Sequence, residues 1–253
     1  MVIVDESHVK QFKSMLLVRY IYQAADYRRN AMNRLHAVFM SATIRMWRNR
    51  GYEEKCDNQS NHAITDYEVR AADELEERRK AEDICISKIK DGLSVLHLVP
   101  AAEGKMGAKA VAQRIRSKVS CPVVPLSPRS TYDMAMQKLA EVKENQKVIV
   151  AADILEVGTN LKVDVVIDLG VKRTYTCRRG HVRMETTRIN QASWTQRRGR
   201  VGRKKPGEYH LWGHEVASGL VDQEDACPMD LSMCAMMFKN SSTKLPLLPS
   251  TRN

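Results

Sequence analysis

The stretch KVIVAADILEVGTNLKVDVVIDLG, residues 147–170, decides the fold. It holds two apolar runs, Lys147 to Ala152 and Val163 to Leu169. Neither alternates polar with apolar, so neither fits a strand with one wet face; both read as parallel strands buried on both faces. Between them lie Asp153, Gly158, Thr159 and Asn160. These place polar groups at the carboxyl end of the first strand, the edge where α/β proteins bind ligands. An ordinary strand-to-helix connection has the same composition, so the segment alone gives a fold class and not a chemistry.

Working outward, strands and helices alternate. Met1 to Val4 is an apolar run ending in Asp5-Glu6, and Ala37 to Met40 is another ending in Ser41-Ala42-Thr43. The polar stretch Arg45 to Asn61 reads as a linker. Residues 66–90, rich in Glu, Arg, Lys and Ala, read as helix, and Ser94 to Val99 as a buried strand stopped by Pro100. Ala108, Val111, Ala112, Ile115 and Val119 share one helical face. Val123-Val124 is a short strand closed by Pro125 and Pro128; Ser130 with Asp133 forms a capping box for a helix to about Glu144. Residues 171–189, with Arg179-Gly180 at the middle, read as a long β-hairpin, and Glu208 to Trp212 as a last strand. This alternation predicts an α/β parallel sheet. The tail from Val216 lacks clear periodicity.

A length of 253 residues leaves room for one large domain or two smaller ones, and 43% hydrophobic residues exclude wholesale disorder. The net charge of +11 is concentrated: Lys172 to Lys205 holds twelve Lys and Arg against one acid, Glu185, while the rest of the chain balances. Such a window points to a polyanion, nucleic acid or nucleotide phosphate. The six cysteines, Cys56, Cys85, Cys121, Cys177, Cys227 and Cys234, form no CxxC pair or spaced zinc set and read as reduced cytosolic thiols. Asp5 and Glu6 stand where a signal peptide would be apolar or basic, and the longest mostly apolar run, Leu93 to Ala102, is too short to span a bilayer.

Four motifs carry chemistry. In QRRGRVGR, residues 196–203, arginines are spaced about two glycines. The arginine fork donates two hydrogen bonds at once to phosphate, and glycine allows close approach or positive φ; a generic basic patch has the same composition. VIVDESH, residues 2–8, has the form of a Walker B strand: the first carboxylate holds Mg²⁺ and the second polarises the attacking water. Ser41-Ala42-Thr43 offers two hydroxyls at a strand end, and residues 148–160 form the strand and polar loop already noted.

In this order the motifs resemble the succession in superfamily 2 DExH helicases, namely those of flaviviruses, potyviruses (the cylindrical-inclusion protein) and related positive-strand RNA viruses. The likeness covers roughly residues 1–213 and is densest at 96–100, 126–130, 153–168 and 196–207. It implies RecA-like parallel sheets flanked by helices, a P-loop NTPase helicase core with a β-hairpin in the second RecA-like domain. The cofactors implied are ATP and Mg²⁺, with Asp5 and Glu6 at the metal and Glu6 as general base. Gln196, Arg200 and Arg203 would face the γ-phosphate, the two arginines as fingers. Glu156 and Gly158 would lie near the nucleotide; His8, Ser41 and Thr43 would couple the nucleotide site to RNA. Lys105, Arg129, Arg178, Arg179 and Arg183 would hold the RNA backbone without reading sequence. Implied partners are single-stranded or duplex RNA and other viral replication proteins. The implied location is host cytoplasm, at membrane-associated replication complexes.

The chain departs from the family's pattern in three places. No GxxxxGK[ST] loop precedes DESH; the nearest match, Gly104-Lys105, is followed by Met106, with Val99 in place of the first glycine. The expectation is a fragment of a longer reading frame that does not turn over ATP by itself. Ala152 stands where relatives place an RNA-bonding Thr, and Ile44-Arg45 where they have two prolines. Residues 1–60 are expected to end a first RecA-like domain, 66–215 to form a second, and 216–253 to begin a third domain or tail. The rivals are a non-catalytic basic RNA-binding module and a nucleotide switch that hydrolyses ATP without unwinding.

Overall fold

The computed structural model describes residues 1–4, 34–39, 62–126, 132–142, 146–152, 161–178 and 181–213, with scattered positions between 17 and 28. At 4, 39, 132, 133, 135, 136, 138, 174–178, 181, 182 and 192 the description covers the backbone alone. The chain divides into two units: Met1–Lys55 with Tyr175–Met184 and Gln223–Asn253, and Cys56–Thr174 with Glu185–Asp222.

In the first unit, β1 (Val2–Val4) pairs in parallel with β2 (Ala37–Phe39), both where the apolar runs predict strands.

The second unit is built on the two apolar runs of residues 147–170. They form β6 (Val148–Ala151) and β7 (Val165–Asp168), with every residue buried. Flanking them are β3 (Ile64–Val69), β4 (Val95–Leu98), β5 (Val123–Leu126) and β10 (Gly207–Trp212). The sheet order is β3-β10-β7-β4-β6-β5, parallel throughout. Successive side chains point to opposite faces. Val95, Val148, Val150, Val165 and Ile167 therefore meet α1 (Glu74–Lys90) and α2 (Ala108–Arg116) on one face. Leu96, Leu98, Ile149, Val166 and Tyr209 pack on the other, against Leu139 of α3 (Tyr132–Glu141) and Trp194 of α4 (Gln191–Arg198). The result is a three-layer α/β/α unit.

Two expectations need correction. The charged stretch 66–90 is not one helix: its first residues belong to β3, and α1 begins at Glu74. As an edge strand β3 leaves four of six residues exposed, so its charges imitate a solvated helix face. The true start is set by Asp73, whose carboxylate accepts from the Glu76 amide at 2.8 Å, while Glu76 accepts from the Ala72 amide at 2.6 Å. Acids in the first turn and Lys88 and Lys90 in the last suit the helix dipole. The other correction is Pro125, which does not close β5 but lies within it. β5 is the far edge strand, where a missing N–H on the open side breaks no ladder bond.

The hairpin is present as β8 (Val171–Arg178) and β9 (His181–Arg188). Its base residues, 171–174 and 185–188, fall with the six-stranded unit.

Candidate functional site: the arginine turn

α4 is two turns long and polar: in QASWTQRR only Trp194 is a large apolar residue. Asn190 starts it, its side chain accepting from the Ser193 amide at 2.8 Å, and Gly199 ends it. Because β9 leads into α4 and α4 into β10, the helix runs back across the sheet from the carboxyl edge to the amino edge. The turn 199–206 then opens beside the amino ends of β3 and β10. Three observations fix that position. The Gly207 amide donates to the Ala63 carbonyl at 3.1 Å, Lys205 meets Asp164 just ahead of β7 at 2.9 Å, and a Cβ on Gly202 would lie 2.6 Å from Ile64 Cγ1. Gly202 has φ +74°, so both backbone angle and space require glycine.

The arginines of QRRGRVGR divide by role. Arg197 is buried and donates to Asp168 at 2.9 Å. Asp168, fully buried at the end of β7, also accepts from Tyr209 Oη and the Gly170 amide, each at 2.8 Å. Burial, then the adjacent carboxylate, pushes the Tyr209 hydroxyl far above its ordinary range, so it remains a donor. Arg198 grips Asp66 of β3 with two hydrogen bonds of 2.7 Å and lies 5.6 Å from the Trp194 ring centre. The Asp66 hydrogen bonds raise the Arg198 pKa above its ordinary value. Arg200 is buried, Gln196 half-buried, and Arg203 exposed with Nε donating to the Gly199 carbonyl at 2.9 Å. Gln196, Arg200 and Arg203 thus share one segment, and of the two expected fingers Arg203 is open to solvent. The exposed Arg203 guanidinium matches the donor chemistry a nucleotide phosphate needs.

Of the other expected residues, Lys105 is exposed in the turn between β4 and α2, its carbonyl accepting from Arg114 at 3.0 Å. Arg183 is exposed on β9; Arg178 lies on β8, backbone alone described. Asp5, Glu6, His8, Ser41, Thr43, Arg129, Glu156, Gly158 and Arg179 lie outside the described residues. Among the described residues no three His, Cys, Asp or Glu side chains gather as a metal set. No described helix is long and apolar enough to cross a membrane. Sequence reasoning missed Asp168, Arg197, Tyr209, Asp66 and Arg198. A signal existed for Asp168: an acid inside a doubly buried strand must be paired.

A RecA-like α/β unit carrying an arginine turn is the architecture of a helicase-type NTPase domain. Residues 78–205, half of the chain, match the helicase conserved C-terminal domain, and the chain belongs to that family. It is 32% identical over 139 residues to an ATP-dependent RNA helicase, HrpB, of Escherichia coli, a match covering 53% of this chain and 17% of that protein. It is 42% identical over 62 residues to the genome polyprotein of Mosquito cell fusing agent, covering 24% of this chain and 2% of the polyprotein. The solved NS3-like helicase of Alongshan virus superposes with a TM-score of 0.64 at 21% identity, over 94% of this chain and 56% of that one. The solved E. coli HrpB, a DEAH/RHA helicase, gives 0.65 at 19% identity, over 89% of this chain and 29% of that one. The chain therefore spans a small part of the curated relatives it matches. The resemblance to superfamily 2 viral helicases drawn from the motifs agrees with these matches.

Proposed function

We propose that this chain supplies the second RecA-like half of a viral ATP-dependent RNA helicase, in which nucleotide hydrolysis drives movement along RNA during genome replication. The observation that carries the reading is the mounting of the arginine turn: Asp168 and Asp66 each fix one arginine of the motif, while Gln196, Arg200 and Arg203 lie at the same helix end. In this reading residues 1–60 end the first RecA-like domain, 66–215 form the second, and 216–253 begin a third domain or tail. Asp5 and Glu6 hold Mg²⁺, which offsets phosphate charge, and Glu6 takes the proton of the attacking water. Gln196, Arg200 and Arg203 neutralise charge on the γ-phosphate, with Glu156 and Gly158 nearby. His8, Ser41 and Thr43 link that site to RNA held by Lys105, Arg129, Arg178, Arg179 and Arg183.

Lys105 and the hairpin base leave the carboxyl edge of the sheet, whereas the arginine turn lies at the amino edge. In this reading Lys105 and the arginine turn belong to opposite edges of one sheet, and α4 runs between those edges. The setting is the host cytoplasm, at membrane-associated replication complexes with other viral replication proteins.

The test is ATP turnover by the longer protein that carries this chain behind a GxxxxGK[ST] loop. Arg200→Ala is expected to abolish hydrolysis while the protein stays folded; retained turnover refutes the finger role. The basic window also favours a second reading, a non-catalytic RNA-binding module. Salt-sensitive RNA binding with no turnover in the longer protein would select it.

A further inference from the structure

We propose that Asp66, on the edge strand β3, is a positioning residue that sets the orientation of the arginine turn for nucleotide hydrolysis. This rests on the nucleotide-facing reading of that turn.

α4 has one large apolar side chain, Trp194, packed edge-on to Tyr209 at 6.4 Å between ring centres. Hydrophobic contact is non-directional, so a single contact leaves a two-turn helix free to roll about its axis. Directional hydrogen bonds remove that freedom, and the structure supplies two sets on either side of β10. Arg197 is tied to Asp168 on β7 and Arg198 to Asp66 on β3, and β7 and β3 are the two neighbours of β10 in the sheet. Consecutive helical residues point about 100° apart, so the two pairs together fix the roll. The Asp66 pair is the forked kind, both carboxylate oxygens engaged, which adds angular definition beyond a point charge.

β3 also braces the turn directly. Ile64 stands two residues from Asp66, on the same face of the strand, against Gly202. One strand thus holds both the end of α4 and the loop leading on to β10. Arg200 lies between these two contacts, and Arg203 follows Gly202 directly. Releasing Asp66 leaves Gly202 seated but lets the helix end roll, moving Arg200 relative to a bound phosphate. Misplacement on the ångström scale at a reacting centre lowers rate steeply.

The experiment measures RNA-stimulated ATP turnover in the longer protein behind a GxxxxGK[ST] loop, for wild type, Asp66→Asn and the exchanged pair D66R with R198D. Asp66→Asn is expected to lower kcat about tenfold, with KM for ATP and the melting midpoint nearly unchanged. The exchanged pair is expected to recover most of that loss, which a merely structural role does not predict. An unchanged kcat in Asp66→Asn, or a loss that the exchange leaves in place, overturns the proposal while leaving the motor reading intact. A wild-type protein that never turns over ATP overturns both together.

Discussion

Asp168→Ala tests the arginine mounting most severely. Asp168 and Arg197 are 0% and 3% exposed, and the carboxylate accepts from Arg197, Tyr209 and Gly170. Removing it takes the charged partner from a buried guanidinium and the acceptor from a buried phenol. Breaking a buried pair by deleting one partner costs about 3–5 kcal/mol, against a whole-domain stability of roughly 5–15 kcal/mol. For a unit of this size each kcal/mol lowers the melting midpoint by about 2–4 °C, so a fall on the order of 6–20 °C is expected. Asp168→Asn keeps an acceptor in place and is expected to fall by less. Arg198→Ala removes a pair whose side chains are 29% and 47% exposed, and loses only about 0.2–1 kcal/mol, further reduced by salt. Urea titrations followed by tryptophan fluorescence, at low and high salt, check all three. If Asp168→Ala lies within about 0.5 kcal/mol of wild type, where ordinary surface changes fall, the buried network is not what holds α4.

Local geometry supports three more tests. Gly202→Ala puts a side chain at φ +74° and within 2.6 Å of Ile64, so a loss of about 1–3 kcal/mol is expected; a wild-type-like melting curve contradicts it. Burial holds the fully enclosed His97 imidazole below its ordinary value of 6.5. The folded protein therefore refuses a proton that the unfolded chain accepts; stability is complete above that pH and falls as pH drops below it. His97→Leu should flatten this acid limb in urea midpoints taken from neutral pH downward, and an unchanged limb refutes the assignment. Burial pushes the Cys85 thiol up to about 12, so alkylation at pH 8, mapped by mass spectrometry, should reach Cys85 only at the rate of unfolding.

How much is legible from the sequence depends on whether the signal is local. β4, β6 and β7 are readable because strands buried on both faces need unbroken apolar runs, and the hairpin because its Thr- and Arg-rich arms flank Arg179-Gly180. β3 reads as helix because an edge strand tolerates charge: Asp66 and Glu68 are exposed, and its parallel pairing with β10 joins residues more than a hundred apart. At the site, the arginine motif announces itself through composition. Its division of labour does not. Which arginine is buried and which is held at the surface depends on Asp168, 29 residues from Arg197, and on Asp66, 132 residues from Arg198. Neither distance leaves a periodicity to read. The fold also puts the arginine turn at the amino edge of the sheet, where the general rule for α/β ligand sites points to the other edge.

If the arginine turn serves nucleotide hydrolysis coupled to RNA, the most direct test is ATP turnover with and without poly-U RNA, on this chain beside the longer protein behind a GxxxxGK[ST] loop. Turnover is expected in the longer protein alone, and faster with RNA. Absence of turnover from both, with RNA still bound by both, would contradict that role and leave the turn a binding surface only.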